Sequence, residues 1–197
     1  MSTHELILGG QRSGKSREAE RRALRWLQAA PGREAALVAT ARATDGEMRE
    51  RIAEHRRRRP PGIATVEAPW ALSDTIAQLA AAHRLLVIDC LTLWLTNWCM
   101  PGPQAAGAEA AGPPADARGW PHERERFLAA LAEAAGPVVL VSNEIGLGVI
   151  PLGRETRRFV DELGRLHQQV AERCRDVTLM VAGRPWRLPA ADRTDAP

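Results

Sequence analysis

The chain has few of the side chains that stack on nucleic-acid bases. Among its 197 residues there is no tyrosine, and there are only two phenylalanines. The formal net charge is +3, and the arginines are spread along the chain with one dense run at residues 56–59. Nucleic acids are bound by aromatic platforms along a basic groove or by a clustered basic patch. A nucleic-acid-binding surface is therefore weakly supported, and we expect no nucleic-acid partner.

Long apolar runs and paired cysteines are also missing. No apolar run approaches the length needed to cross a membrane, and no basic segment followed by an apolar stretch opens the chain. The three cysteines, Cys90, Cys99 and Cys174, lack the short paired spacing of a zinc or redox motif. We therefore expect a cytoplasmic protein with reduced thiols and no membrane span.

Lysine is scarcer still, because Lys15 is the only one in a chain whose other cationic side chains are arginines. It lies in a segment that fits the pattern G-x-x-x-x-G-K-[ST], namely Gly9, Gly10, Gln11, Arg12, Ser13, Gly14, Lys15 and Ser16. In this pattern backbone N–H groups face a phosphate chain, the lysine reaches the β- and γ-phosphates, and the serine hydroxyl is placed for Mg²⁺. A slim ammonium can enter such a closed loop, whereas a planar guanidinium suits paired oxygens at a surface. The motif predicts that residues 9–16 bind nucleotide phosphates.

The segments on both sides of the motif have the pattern that a phosphate loop requires. Residues 5–8 form a short, mostly apolar run suited to a buried strand. Residues 16–30 carry apolar side chains at helical spacing and are followed by Pro31 and Gly32. Because a phosphate loop must leave a strand and open a helix, this context favours it over an ordinary glycine turn with a solvated lysine.

Short apolar runs recur with helical stretches between them, at residues 37–39, 85–88, 138–141 and 177–181. Strands that are apolar on both faces are covered on both sides, as in a parallel sheet flanked by helices. We predict an α/β, single-domain, P-loop NTPase-like fold with a mainly parallel sheet flanked by helices. Ligands of such sheets gather beyond the carboxyl ends of the strands.

The predicted domain spans residues 1–188, since a chain of this length forms one domain by default. Residues 101–121 are rich in Pro, Gly and Ala with almost no large apolar side chains, which indicates a surface insertion within the domain. Residues 189–197 are predicted to form a loose C-terminal tail.

Polar residues that follow the predicted strands are candidate site residues. Asp89 ends a buried run and is placed to hold Mg²⁺ opposite Ser16, directly or through water, although a helix N-cap is its alternative role. Asn143 and Glu144 follow another strand, where substrate contact and turn capping fit the sequence equally well. Glu67 is either an exposed acid or an acceptor for a ribose hydroxyl or a purine N–H.

Residues 45–60 form an unusual segment. Asp45 can cap a helix, and Met48, Ile52 and His55 follow on one helical face, so we expect the histidine to point inward. Four adjacent arginines come next, Arg56, Arg57, Arg58 and Arg59. Two interpretations stay open: a core histidine beside a solvated basic face, or a neutral imidazole that attacks a nucleotide phosphate while guanidinium groups stabilise the developing charge.

Six segments in this order carry a resemblance to a known family: residues 8–16, 38–41, 45–55, 65–69, 88–97 and 142–151. Together they resemble the bifunctional adenosylcobinamide kinases and adenosylcobinamide-phosphate guanylyltransferases of cobalamin biosynthesis. The first segment is shared by many NTPases, whereas the others in this order are specific. The resemblance extends over most of the chain.

The resemblance implies two reactions. ATP or GTP phosphorylates the aminopropanol hydroxyl of adenosylcobinamide, and GTP then guanylylates the resulting phosphate to give adenosylcobinamide-GDP. It further implies a homotrimer and His55 as the catalytic nucleophile that carries GMP, while the phosphate-loop motif predicts Lys15 as the other catalytic residue and Mg²⁺ as the cofactor. The positions implied to contact nucleotide are residues 9–16, Thr40, Ala41, Arg56, Arg57, Arg58, Arg59, Glu67 and Asp89.

Two other functions compete with this one. The chain could be a P-loop kinase of another small hydroxyl compound, with His55 in a structural role. It could instead be a nucleic-acid-binding P-loop ATPase that uses residues 56–59 as its contact surface. The isolation of the basic run and the scarcity of aromatic residues disfavour the second alternative.

Overall fold

A computed structural model describes residues 3–100, 112–113 and 117–189. The described strands are β1 (Glu5–Gly9), β2 (Glu34–Ala39), β3 (Ile63–Glu67), β4 (Arg84–Asp89), β5 (Val138–Val141), β6 (Asp176–Val181) and β7 (Arg184–Leu188). The described helices are α1 (Lys15–Ala29), α2 (Gly46–Arg58), α3 (Leu72–Leu79), α4 (Leu91–Cys99), α5 (Trp120–Glu133) and α6 (Arg154–Ala171).

The strands form one sheet in the order β3-β2-β4-β5-β1-β6-β7. The pairs from β3 to β6 are all parallel, and β7 is antiparallel to β6. Ala182 and Gly183 form the short turn into β7, with φ values of 51° and 77° that suit a tight hairpin. The predicted α/β fold with a mainly parallel sheet flanked by helices is confirmed, whereas β7 was not predicted.

Successive residues of the central strands pack on opposite faces of the sheet, as the period of two requires. Leu6 and Leu8 belong to a larger core formed with α3, α4, α5 and α6, whereas Ile7 belongs to a smaller core formed with α1. At the centre of the larger core Trp94 is fully buried and packs edge-on against Trp120, with ring centroids 4.9 Å apart. Helices therefore cover both faces, which explains why the strands are apolar on both sides.

The predicted insertion at residues 101–121 lies largely outside the described residues, of which it contains 112–113 and 117–121. α5 begins at Trp120, and Pro121 follows in its first turn, where a missing N–H leaves no helical bond unmade. Trp120 is buried and its Nε1 donates to Glu162 Oε1 at 2.8 Å. The last two residues of the predicted range therefore belong to α5. Of the predicted tail at 189–197, all but Pro189 lies outside the described residues.

α6 is the longest of the described helices, with 18 residues. Phe159, Leu163, Leu166 and Val170 form its apolar stripe, and all four are buried in the larger core. Its opposite face is charged. Within the described ranges, no helix combines the length and the apolar character needed to cross a bilayer.

His4 bridges α5 and β5 inside the protein. Its Nε2 lies 2.8 Å from the carbonyl oxygen of Leu131, and its Nδ1 lies 3.2 Å from the backbone nitrogen of Val138. Because the Val138 N–H donates to Nδ1, that nitrogen carries no proton, and Nε2–H is the donor to Leu131. Burial lowers the pKa of His4, and the bond to Leu131 opposes that shift. The folded protein therefore holds a neutral imidazole here.

We expect the free energy of unfolding to fall as the pH drops below about 6.5, the ordinary pKa of histidine. The unfolded chain then binds a proton at His4, which the folded chain does not bind until its lower pKa is reached, so acid favours unfolding. Urea unfolding at neutral and mildly acidic pH measures this change. The free energy of unfolding should fall less on acidification for His4→Gln than for the unmodified protein. His83→Gln, at an exposed histidine, is the control. An equal fall in the free energy of unfolding on acidification in all three proteins would contradict a neutral, buried His4.

Candidate functional site

The phosphate loop, residues 9–16, leads from the end of β1 into the start of α1 through a sharply turned backbone. The φ angles are 153° at Gly9, 55° at Arg12 and 97° at Gly14, all in the region that favours glycine. A Cβ atom on Gly9 would lie 2.6 Å from Ser13 Oγ and 2.7 Å from the Met180 carbonyl oxygen. The glycine at the start of the motif is therefore required by the close approach of β6 as well as by the turn.

Backbone hydrogen bonds from two other segments hold the loop in place. The Gly183 N–H, from the turn between β6 and β7, donates to the Ser13 carbonyl at 3.1 Å. The Glu144 N–H, just after β5, donates to the Gly9 carbonyl at 3.0 Å. The two donors, Gly183 and Glu144, lie more than a hundred residues away from the loop in sequence, so the motif alone does not predict these hydrogen bonds.

Lys15 lies inside the loop, and its side chain is 7% exposed. Its Nζ donates to the Gly10 carbonyl at 2.6 Å. Burial lowers the pKa of Lys15, while the neighbouring Cys90 and Asp89 side chains oppose the shift. The ammonium is thus a point charge at the centre of the loop, where a phosphate oxygen would take the place of the carbonyl.

Asp89 ends β4 opposite Ala39 of β2 and lines the cavity described below. The N-cap of α4 is Cys90 and no side chain caps this helix, so Asp89 does not have its alternative role as an N-cap. Thr40 is fully buried, and its Oγ1 bonds both the carbonyl and the N–H of Cys90, at 2.7 and 2.8 Å. The Thr40 hydroxyl therefore joins the ends of β2 and β4 and does not face the cavity.

α2 forms one wall of the site. The Asp45 side chain accepts a hydrogen bond from the Met48 N–H at 2.8 Å, as an N-cap does. Met48, Ile52 and His55 share a face as the spacing predicted, but this face borders an open cavity and His55 is exposed. The sequence predicted that His55 points inward together with Met48 and Ile52. This prediction is wrong, because His55 is exposed and lines the cavity. Neither core cluster contains a described side chain of α2, because the helix stands over the cavity.

The carboxyl end of α2 is tied to β3. Arg56 forms an ion pair with Glu67, and Arg59 donates a hydrogen bond to Thr65 Oγ1. The Arg56 and Glu67 side chains are 56% and 59% exposed, so solvent screens the pair and a ligand can replace it. The Nε of Arg59 is buried and has no hydrogen-bond partner within the described residues. Arg56 and Arg59 thus line the site, whereas Arg57 is exposed and does not line it.

These elements enclose a cavity of about 950 Å³, which is at the upper end of ligand-sized pockets. The predicted site residues that line it are Gln11, Arg12, Ser13, Gly14, Lys15, Ser16, Ala41, His55, Arg56, Arg59, Glu67 and Asp89. Those that do not line it are Gly9, Gly10, Thr40 and Arg57. The Arg58 side chain lies outside the described residues. Among the residues that the structure describes, eight Lys or Arg side chains and two carboxylates line the cavity, so its electrostatic field favours a polyanion.

Glu20 is a neighbour of the site that sequence reasoning missed. Burial raises its pKa, and so does the nearby Asp89 charge, whereas the charges of Arg59 and His55 oppose the shift. The feature of the sequence that places Glu20 near the site is its position four residues after Ser16, on the same face of α1. Many helical residues have that spacing, so it did not single out Glu20.

A buried polar network fixes the end of β5. The Asn143 N–H donates to Thr92 Oγ1 at 2.7 Å, and the Ser142 hydroxyl lies 3.0 Å from Thr92 Oγ1 and 2.7 Å from His167 Nε2. His167 Nδ1 lies 3.7 Å from a Glu144 carboxylate oxygen. Burial lowers the pKa of His167, while the Glu144 charge opposes this. The network holds Asn143 on the cavity wall beside the phosphate loop.

The residues present fit the Mg²⁺ that nucleotide chemistry implies. Ser16 and Asp89 both line the cavity, and Asp89 is near enough to Lys15 to influence its pKa. Among the described residues, no group of three or more His, Cys, Asp and Glu side chains is arranged to hold a metal. Mg²⁺ commonly takes one or two protein ligands and completes its shell with phosphate oxygens and water, so a hydroxyl and a carboxylate suffice.

Comparison with known proteins identifies relatives over nearly the whole chain. Residues 5–188 match the family model described as cobinamide kinase / cobinamide phosphate guanyltransferase. The bifunctional adenosylcobalamin biosynthesis protein CobP of Pseudomonas aeruginosa is 51% identical over 185 residues, which cover 93% of this chain and 96% of that protein. The CobU proteins of Escherichia coli and Salmonella typhimurium are 32% and 36% identical, and each match covers 90% of this chain and 95% of the relative.

Proposed function

Since the chain belongs to the cobinamide kinase / cobinamide phosphate guanyltransferase family, we propose that it catalyses both reactions at one site. A nucleoside triphosphate phosphorylates the aminopropanol hydroxyl of adenosylcobinamide, and GMP is then transferred from GTP to that phosphate. The observation that carries the proposal is that His55 and the phosphate loop line the same cavity. A nucleophile and a triphosphate anchor are thus available to one nucleotide.

In the first reaction the loop of residues 9–16 binds the triphosphate and Lys15 neutralises charge on its β- and γ-phosphates. The substrate hydroxyl oxygen attacks the γ-phosphorus, the bond from that phosphorus to the β–γ bridging oxygen breaks, and the nucleoside diphosphate leaves. The hydroxyl proton passes to solvent or to a base. Positioning and charge stabilisation carry most of the catalysis in such transfers, and the cationic cavity lining supplies both.

In the second reaction a ring nitrogen of His55 attacks the α-phosphorus of GTP. The bond to the leaving pyrophosphate breaks, and GMP remains on the imidazole through a P–N bond. A phosphate oxygen of the acceptor then attacks the same phosphorus, the P–N bond breaks with its electron pair returning to the ring, and adenosylcobinamide-GDP forms. Arg56 and Arg59, which line the cavity near His55, stabilise the charge on the transferring phosphoryl group.

The remaining assignments rest on the family resemblance and on the fit of the site. Ser16 and Asp89 would hold Mg²⁺, which supplies charge neutralisation of the triphosphate when bound. Ala41, Glu67 and the ion pair that Glu67 forms with Arg56 border the space for the nucleoside. We also propose that the enzyme is a cytoplasmic homotrimer that binds no nucleic acid, and sedimentation of the purified protein checks the trimer.

Two incubations of the purified protein test the proposal. Adenosylcobinamide with triphosphate labelled at the γ-position should yield a labelled corrinoid phosphate. GTP labelled at the α-position should label the protein itself and, when the corrinoid phosphate is added, should release the label as adenosylcobinamide-GDP. Phosphorylation without any protein label would support the alternative of a kinase in which His55 is structural. No phosphorylation of adenosylcobinamide would contradict the kinase assignment.

A further inference from the structure

Arg42 is a cation on the cavity wall, and no carboxylate among the described residues pairs with it. Its guanidinium carbon lies 5.0 Å from the centre of the Trp70 ring, and both residues line the cavity. The Arg42 guanidinium forms no hydrogen bond or ion pair with the described residues beyond this aromatic contact. A cation–π contact fixes a guanidinium in place without using its N–H donors. Those donors stay available to an anion.

Trp70 and the segment that carries Arg42 are held rigidly together. The Asn97 side-chain amide donates to the Thr40 carbonyl and to the Pro69 carbonyl, at 2.9 Å each. The Trp70 carbonyl accepts a hydrogen bond from Trp94 Nε1 at 2.9 Å, and Trp70 itself is 7% exposed. The position of Arg42 is therefore set by the protein before a ligand arrives, which lowers the entropy cost of binding.

Arg42 lies across the cavity from the phosphate loop. It follows β2, whereas the loop follows β1, and β4 and β5 separate these two strands in the sheet. Three spacings of about 4.8 Å place the strands roughly 14 Å apart. Lys15 on the loop side of the cavity and Arg56 and Arg59 on α2 are the cations proposed for the triphosphate. Arg42 is a cation in addition to these three.

The cavity lining to which Arg42 belongs is apolar as well as cationic. Ala43, Met48, Pro69 and Leu93 also line the cavity. An anionic group attached to a bulky, largely uncharged molecule suits a wall that presents a guanidinium together with apolar side chains. The acceptor of the second reaction is such a molecule, because it carries one phosphomonoester on a corrinoid.

We propose that Arg42, positioned by Trp70, binds the phosphomonoester of the acceptor in guanylyl transfer. This inference rests on the proposed function and adds to it a subsite for the second substrate. Two N–H groups of a guanidinium can bind two oxygens of one phosphate side by side, which orients the third oxygen for attack on the GMP carried by His55.

Arg42→Gln should raise the KM for the corrinoid phosphate by about tenfold, the loss expected for a charge-assisted hydrogen bond. The rate at which α-labelled GTP labels the protein without acceptor should change little, because no acceptor takes part in that step. Trp70→Leu should raise the same KM. In the double variant the two increases should not add, since each substitution alone removes the contact of the Arg42 guanidinium with the Trp70 ring. Arg42→Lys should recover part of the affinity, as it keeps the charge but loses the planar fork.

Arg33→Gln is the matched control, because Arg33 lies 3.8 Å over the Trp26 ring and does not line the cavity. It should leave the KM for the corrinoid phosphate unchanged. An unchanged acceptor KM in Arg42→Gln, with normal protein labelling, would overturn this inference alone. Slower labelling by GTP in that variant would assign Arg42 to the nucleotide and would equally overturn it. A parent protein that GTP does not label contradicts the proposed function itself.

Discussion

Replacing His55 with asparagine is expected to abolish labelling of the protein by α-labelled GTP and to lower guanylyl transfer on the order of 10³-fold or more. The amide has a similar size and can form hydrogen bonds, but it has no nitrogen lone pair able to attack phosphorus. Because His55 is exposed and belongs to neither core cluster, the substitution should change the free energy of unfolding by less than about 0.5 kcal/mol. Loss of labelling in a protein with unchanged thermal unfolding would assign the defect to chemistry.

The chemistry of the adduct provides a second check on the His55 assignment. A P–N bond to imidazole is expected to be labile in acid and stable in alkali, so labelled protein that has been denatured should lose its label in acid only. His83→Asn, at an exposed histidine whose carboxylate neighbour is Glu34, is the matched control and should be labelled normally. Label retained by His55→Asn would show that another residue carries GMP.

The strands and the phosphate loop were predictable because their signals are local. The apolar runs of β1, β2, β4, β5 and β6 each fall within a few consecutive residues, and covering both faces of a sheet requires this composition. The loop follows from eight adjacent residues. β7 was missed because its exposed residues, such as Trp186 and Arg187, have no apolar periodicity to reveal an edge strand.

The environment of the site was less predictable because it depends on how distant segments meet. The spacing of Met48, Ile52 and His55 correctly placed them on one helical face, but spacing cannot tell whether that face meets a core or a cavity. Thr40 follows β2 as a site residue would, and yet its hydroxyl turns inward to Cys90. The direction in which such a side chain points depends on residues far away in sequence. Thr40 and its partner Cys90, for example, are 50 residues apart.

Replacing Lys15 with alanine is expected to lower the phosphorylation of adenosylcobinamide by about 10³-fold while the fold persists. The ammonium is the cation inside the phosphate loop, and its removal leaves charge on the β- and γ-phosphates uncompensated. The loss of one hydrogen bond to the Gly10 carbonyl should cost only about 1 kcal/mol of stability. Phosphoryl transfer from γ-labelled triphosphate, with circular dichroism on the same samples, measures both quantities.

Lys15→Arg should be nearly as inactive as Lys15→Ala, although it preserves the charge. The Lys15 side chain is 7% exposed and its Nζ lies 2.6 Å from the Gly10 carbonyl, so the loop has little room for a wider, planar guanidinium. Arg21→Ala, at a half-exposed arginine paired with Glu18, is the control for removing a cation from α1. Full activity in Lys15→Arg would contradict the reason given for the single lysine of this chain.

The two sets of variants together test whether one site performs both reactions. Both reactions bind a triphosphate, so Lys15→Ala should slow protein labelling by GTP as well as phosphorylation of adenosylcobinamide. His55 takes part only in the transfer of GMP, so His55→Asn should slow that transfer and leave phosphorylation active. Because His55 and Lys15 line one cavity, this asymmetry distinguishes a shared triphosphate anchor from two separate sites. Normal GTP labelling of Lys15→Ala would mean that the GTP of the second reaction binds elsewhere.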